Sequence, residues 1–307
     1  MKKQNSILMS IALTGVLFFS SCDKDTTDPM TTQDQTVAGY AISDPNFSIL
    51  VEALTKAGLA DVLDGAGNFT VFAPTNAAFT ALFTQLGVSG IADLSAETLT
   101  PILLYHVLGT EKKASMITSG YYATLSPAQG NYASMKILVS SGVIIDKDTK
   151  VTTADVDVKN GVIHVIDKVL LPPSVVDIAL DNSNFSILVQ AAVKADLAGT
   201  LAGTGPFTLF APTDAAFEAL FADLGVAGIA DLTAAQLTPI LLYHVVSGNV
   251  RSSDLSNGAV ETLNGPIQIS LSPSATINGT TNIVATDVQA TNGVVHVIDK
   301  VLLPVTK

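Results

Sequence analysis

Thr70-Val-Phe-Ala-Pro-Thr-Asn-Ala-Ala-Phe79 returns as Thr208-Leu-Phe-Ala-Pro-Thr-Asp-Ala-Ala-Phe217, 138 residues further on. In each copy a β-type apolar run ends at a proline and a threonine then opens a helical pattern. Phe69-Thr-Val-Phe72 reads as a short strand. Thr75 reads as the N-cap of a helix whose buried stripe is Phe79, Leu82 and Phe83. Capping explains Thr75 and its counterpart Thr213 better than a nucleophile does.

Outward from this stretch the repeat continues in both directions. Asn46-Phe-Ser-Ile-Leu-Val51 returns as Asn184-Phe-Ser-Ile-Leu-Val189, and Leu103-Leu-Tyr-His-Val107 as Leu241-Leu-Tyr-His-Val245, at the same offset. From Asn46 to Val107 about seven positions in ten are identical. The closing run Gly161-Val-Ile-His-Val-Ile-Asp-Lys-Val-Leu-Leu-Pro172 returns at Gly293 to Pro304, an offset of 132, so six residues are missing from the middle of the second copy. Loops absorb such deletions. The variable middle, Gly109 to Lys150 and Ser247 to Asn282, is where the copies are free to differ.

A unit near 135 residues is the size of a self-sufficient domain. The reading is therefore two tandem domains, 36–172 and 173–307, joined at Pro172-Pro173 by a linker too short and proline-rich to swing freely. In each, Asp44-Pro45 or its equivalent opens a helix with Phe47, Leu50, Val51 and Leu54 on one face. A third helix is expected over Leu99 to His106, with Pro101 in its first turn. From about Tyr121 the pattern turns to Val, Ile and Thr, and Asn160-Gly161 and Asn292-Gly293 read as hairpin turns. Helices first and strands later make an α+β domain.

The N-terminus reads as an address. Lys2 and Lys3 precede an apolar stretch, Ile7 to Phe19, too short to span a bilayer and suited to a signal peptide over residues 1–21. It ends in Phe19-Ser-Ser-Cys22, which resembles a bacterial lipobox, with Phe where Leu is usual. Cys22 is the only cysteine in the chain, and acylation there would anchor the protein stably. A polar linker, 22–35, follows as a leash. Asp23-Lys24-Asp25 after the cysteine resembles surface-export signals. The expected place is the cell envelope, lipid-anchored at the outer membrane and surface-exposed.

Formal net charge is −12; without Lys2 and Lys3 there remain 13 basic against 27 acidic residues, and Arg251 is the single arginine. So acidic a chain, without an arginine cluster, is poorly equipped to hold nucleic acid or phosphate groups.

Taken in order and twice over, the Thr70–Phe79 motif, Tyr105-His106 and Asn160-Gly-Val-Ile-His-Val-Ile-Asp167 resemble the fasciclin family, whose module is the FAS1 domain. The resemblance covers essentially everything after the leash. It implies a twisted β-sandwich or wedge with helices packed along one side, and a non-enzymatic role in adhesion or matrix association. In animal members binding is attributed to the Tyr-His segment and an Asp-Ile pair. The matching positions are Tyr105, His106, Asp155 and Val156 in the first copy, and Tyr243, His244, Asp287 and Val288 in the second, with Val for Ile in both. The resemblance carries over a surface patch and not the animal partner; the partner expected is a surface protein or glycan of another cell or matrix.

Other chemistries find little support. The four histidines, His106, His164, His244 and His296, lie without zinc-ligand spacing, and neither a nucleophile elbow nor a mature-domain thiol nucleophile is present. Each reads as a packed ring with satisfied nitrogens. Asp167 and Asp299 either orient those rings, face water or make a structural contact, the last being favoured. In the Tyr-His pair, neighbours on a helix point to different faces, so at most one of the two is expected to be fully buried. No catalytic residue, metal or cofactor is expected, and no carboxylate pair can be placed across a cleft for polysaccharide hydrolysis. The alternative function is carriage of an apolar small molecule such as a carotenoid or lipid, although no Met- or aromatic-rich stripe marks a cavity.

Overall fold

Strand β1 (Phe69–Pro74) organises the first domain because both of its faces are covered. The computed structural model describes residues 31–304; Cys22, the signal segment and the leash to Met30 lie outside them. Before β1 come helices α1 (Val37–Ser43), α2 (Ser48–Lys56) and α3 (Ala60–Asp64). After it come α4 (Asn76–Leu86), α5 (Ala96–Tyr105) and β2 (Val107–Leu108). Strands β3 (Gly120–Ala128), β4 (Asn131–Val139), β5 (Val143–Ile145), β6 (Thr149–Val158) and β7 (Gly161–Ile166) complete a seven-stranded sheet in the order β2-β1-β7-β6-β5-β4-β3. It is mixed: β1 runs parallel to β7, and the other pairs are antiparallel.

Alternation along β1 sends Val71 and Ala73 into a core under the helices, with Phe47, Leu50, Leu54, Phe79 and Leu103. Phe72 points the other way, into a second core with Tyr105, Met135, Ile137, Ile145 and Ile166. Two bulges in β6 bend the sheet, one of them around Asp155, which takes a left-handed φ of 59°. A sheet with helices on one side and its own folded-over β3–β5 portion on the other is the expected α+β wedge.

Several local expectations need correction. The third helix starts at Ala96, because the Ser95 side chain accepts from Thr98 N–H at 3.2 Å, so Pro101 stands inside the helix rather than in its first turn. Pro45–Phe47 is a single 3-10 turn leading into α2. The leash does not run free to Gln35, whose carbonyl accepts from Lys159 N–H at 2.7 Å. Asn160-Gly161 is not the two-residue turn itself: Val158 pairs with Gly161, and Lys159-Asn160 make the turn. The glycine is needed because a Cβ there would sit 2.1 Å from the Phe69 carbonyl oxygen. Buried Asn160 accepts from Val37 N–H at 2.8 Å and donates to the Leu63 and Gly65 carbonyls at 2.8 and 2.7 Å. It thus ties α1 and the end of α3 to the hairpin.

The second domain repeats this plan with α6 (Val175–Leu180), α7 (Ser186–Lys194), α8 (Ala198–Ala202), β8 (Phe207–Pro212), α9 (Asp214–Leu224) and α10 (Ala234–Leu242). Its strands continue with β9 (Val245–Ser247), β10 (Gly258–Thr262), β11 (Gly265–Ser270), β12 (Thr276–Ile277), β13 (Thr281–Ala290) and β14 (Gly293–Ile298). The order β10-β11-β12-β13-β14-β8-β9 matches the first sheet. The domains meet where β4 lies against β13. Gln289 N–H donates to Ser134 Oγ at 3.0 Å, and the Gln129 amide to the Thr291 carbonyl at 3.0 Å. Arg251 Nη1 donates to Asn131 Oδ1 at 2.8 Å, and Lys136 Nζ to the Asp181 carbonyl at 2.6 Å. The chain's single arginine is used at this joint.

Candidate functional site

The Tyr-His segments sit where α5 passes into β2 and α10 into β9. At such a junction the chain turns between two cores, and both side chains find an interior. Tyr105 and His106 are 0% and 2% exposed, and Tyr243 and His244 are 3% and 0%. The expectation that only one of each pair can be buried is therefore wrong, because the sheet has a core on either side. A buried side chain offers no surface to a partner, so these four residues are internal ties in the folded chain.

His106 shows the tie most clearly. Leu170 N–H donates to its Nε2 at 2.9 Å, so the ring proton lies on Nδ1, which donates to the Ile102 carbonyl at 2.8 Å. His244 repeats this with Leu302 and Ile240, at 2.9 and 2.8 Å. Burial lowers both rings from 6.5 to about 4, so they are neutral at pH 7. His164 accepts from Asp155 N–H at 3.2 Å, donates to the Lys112 carbonyl at 2.8 Å and stacks on Phe72 at 5.5 Å. His296 does the same with Asp287, Val250 and Phe210. Burial lowers these two as well. None of the four rings has a nitrogen left over for chemistry.

Asp155 and Val156 lie on the β6 bulge, the aspartate exposed and the valine half-buried. Asp155 Oδ1 accepts from Ala114 N–H at 2.7 Å, so even this carboxylate holds a turn in place. Asp287 is half-buried, and Val288 is buried in the second domain's core. Asp287 accepts from Ser252 N–H at 2.8 Å and from the Ser252 hydroxyl, with Arg251 Nε 3.8 Å away. Burial works to raise this carboxyl, but the Ser252 hydrogen bonds, with His296 and Arg251 nearby, leave it lowered. Of the eight residues singled out from the sequence, Asp155 alone is exposed. Asp167 and Asp299 bond across their hairpins to Lys150 N–H and Asn282 N–H at 2.8 and 2.7 Å, which is the structural contact favoured above.

The sequence reading missed Asp146. It lies under Tyr105, whose hydroxyl approaches both carboxylate oxygens at 3.2 Å and the Ser134 carbonyl at 3.1 Å. Burial raises Asp146 from 3.8 to about 7, with Asp181 adding to the rise, and raises Tyr105 well above its ordinary value. Asn278 takes the same left-handed position in the second domain, its Nδ2 3.2 Å from the Tyr243 hydroxyl. The 132-residue offset that aligns the closing runs also pairs Asp146 with Asn278, and was the available signal. Among the described residues, no three His, Cys, Asp or Glu side chains converge as a metal site would require.

The fasciclin domain model matches residues 45–172 and 183–304. Human periostin is 31% identical over 255 residues, covering 80% of this chain but 29% of periostin, so this chain spans under a third of that relative's length. Protein sll1483 of Synechocystis is 41% identical over 138 residues, 45% of this chain and 74% of that protein. Among solved structures, a FAS1 domain pair from the insect cell adhesion molecule fasciclin I aligns at 20% identity with a TM-score of 0.47, covering 87% of this chain and 96% of that one. With two matched domains spanning nearly all of the described residues, this chain belongs to the fasciclin domain family.

Proposed function

We propose that the chain is a non-enzymatic adhesion lipoprotein, anchored through Cys22 at the outer membrane and exposed on the cell surface, that binds a protein or glycan of another cell or matrix. The observation that carries this reading is the joint between the domains. Ser134, Asn131, Lys136 and Arg251 hold two similar modules in one geometry, so weak contacts on each are presented together and multiplied by display on a membrane. Membership of the fasciclin family supports adhesion over catalysis, as does the internal use of all four histidines. On this reading the contact surface in the first domain lies around Asp155, which is exposed, and not at Tyr105-His106, which are buried.

The test is a screen of the soluble 23–307 chain, displayed on beads at graded density, against matrix proteins, cell-surface glycans and whole cells. Saturable capture that steepens with density is expected; no capture by any target at any density would sink the adhesion reading. Cys22→Ser should move the full precursor out of the membrane fraction, and retention there would refute the anchor. The alternative, carriage of an apolar small molecule, is favoured by one observation: an apolar cavity in the second domain.

A further inference from the structure

Between α6, α7 and α8, above β8 and α10, the second domain contains an apolar cavity of about 90 Å³. The same place in the first domain holds about 20 Å³. The copies differ at several positions here: Tyr40 lines the first domain's space where the repeat places Ile178, and two neighbouring positions on the next helix differ as well. Leu54 of α2 is 4% exposed and fills the first domain's space, whereas the repeat places Ala192 at that point of α7. Thr55, whose hydroxyl bonds back to the Val51 carbonyl at 2.8 Å, becomes Val193. The second domain's site is thus both deeper and more apolar at its rim. Val193 and Leu180 line the cavity and are 65% and 50% exposed, so its mouth is open and hydrophobic.

The lining decides the ligand. Besides aliphatic side chains it contains His244, and both ring nitrogens of His244 are already bonded to backbone groups. An occupant therefore meets no free donor or acceptor, and the inserted part must be hydrocarbon. A dry cavity of about 150 Å³ accepts benzene; one of about 90 Å³ takes about three or four chain carbons. A ring with substituents does not fit. We propose that this cavity receives the methyl end of an unbranched acyl chain, whose next carbons lie across Leu180 and Val193 and whose polar head stays in water. The inference rests on the carrier reading and assigns it a site and a ligand class.

The test uses the soluble Cys22→Ser chain and monomeric dodecanoate, followed by methyl NMR shifts at Ala192, Val193 and Leu180. Wild type should bind, and Ala192→Leu should weaken Kd at least tenfold while raising Tm, which shows that the variant is folded. Leu54→Ala should open a matching response in the first domain. Binding unchanged in Ala192→Leu overturns this site but leaves a carrier with a site elsewhere; no binding of dodecanoate by wild type overturns both. Co-sedimentation with phosphatidylglycerol vesicles, compared between wild type and Ala192→Leu, separates the sources. A loss there identifies bilayer lipid as the donor of the chain, and a loss confined to dodecanoate identifies free fatty acid.

Discussion

Asp146→Asn should stabilise the first domain above about pH 4 and leave it nearly unchanged below. In an unfolded chain the carboxyl titrates near 3.8, and in the fold burial beneath Tyr105 raises it to about 7. Between those values the folded state holds a proton that the unfolded state has released, so wild-type stability falls as pH rises from about 4 to about 7 and is level beyond. The whole gap corresponds to about 4 kcal/mol. Asp146 is half-buried and borders the open cleft with Lys147 and Asp148, so water recovers part of that, and a gain of about 2 kcal/mol at pH 8 is expected. The amide fits because Asn278 already does the same work, accepting from Gln268 N–H at 2.8 Å beside the Tyr243 hydroxyl. Urea unfolding followed by tyrosine fluorescence reads the effect, since Tyr40, Tyr105, Tyr121, Tyr122 and Tyr132 are in the first domain, Tyr243 alone is in the second, and tryptophan is absent. A gain equal at pH 4 and pH 8, or a loss at pH 8, would refute the reasoning.

The histidine ties make the opposite pH prediction: folded values near 4 against 6.5 mean that stability is complete above pH 6.5 and drains away as pH falls towards 4, by up to about 3 kcal/mol for each of His106 and His244. His106→Gln and His244→Gln should each cost about 2–4 kcal/mol at pH 7 and flatten that acid slope, as measured by denaturant titration. Gly161→Ala should break the pairing of β1 with β7 and cost more than about 3 kcal/mol in thermal unfolding, while Gly142→Ala, with open space around it, stays within about 0.5 kcal/mol. Lys136→Ala with Arg251→Ala should loosen the joint and enlarge the radius of gyration in X-ray scattering with both domains still folded; an unchanged curve would show that β4 and β13 hold the domains without these side chains.

By itself the sequence determined the duplication, the α+β class, the Thr75 and Thr213 caps and the apolar faces of the helices, because each is a local matter of spacing or chemistry. The caps are made as expected, with Ala78 and Ala216 N–H donating to the threonine hydroxyls at 3.4 and 3.3 Å. Only the tertiary structure decided what the repeated motifs are for. Asn160 reads as a turn residue and is one, but its side chain also ties the hairpin to two segments distant along the chain. Tyr105-His106 looks half-exposed because periodicity reads one element against one core, whereas this sheet carries a core on both sides. Asp146 and Ala192 were equally hidden: a carboxylate's burial and a cavity's volume depend on what neighbouring elements bring, and no spacing within one element records that.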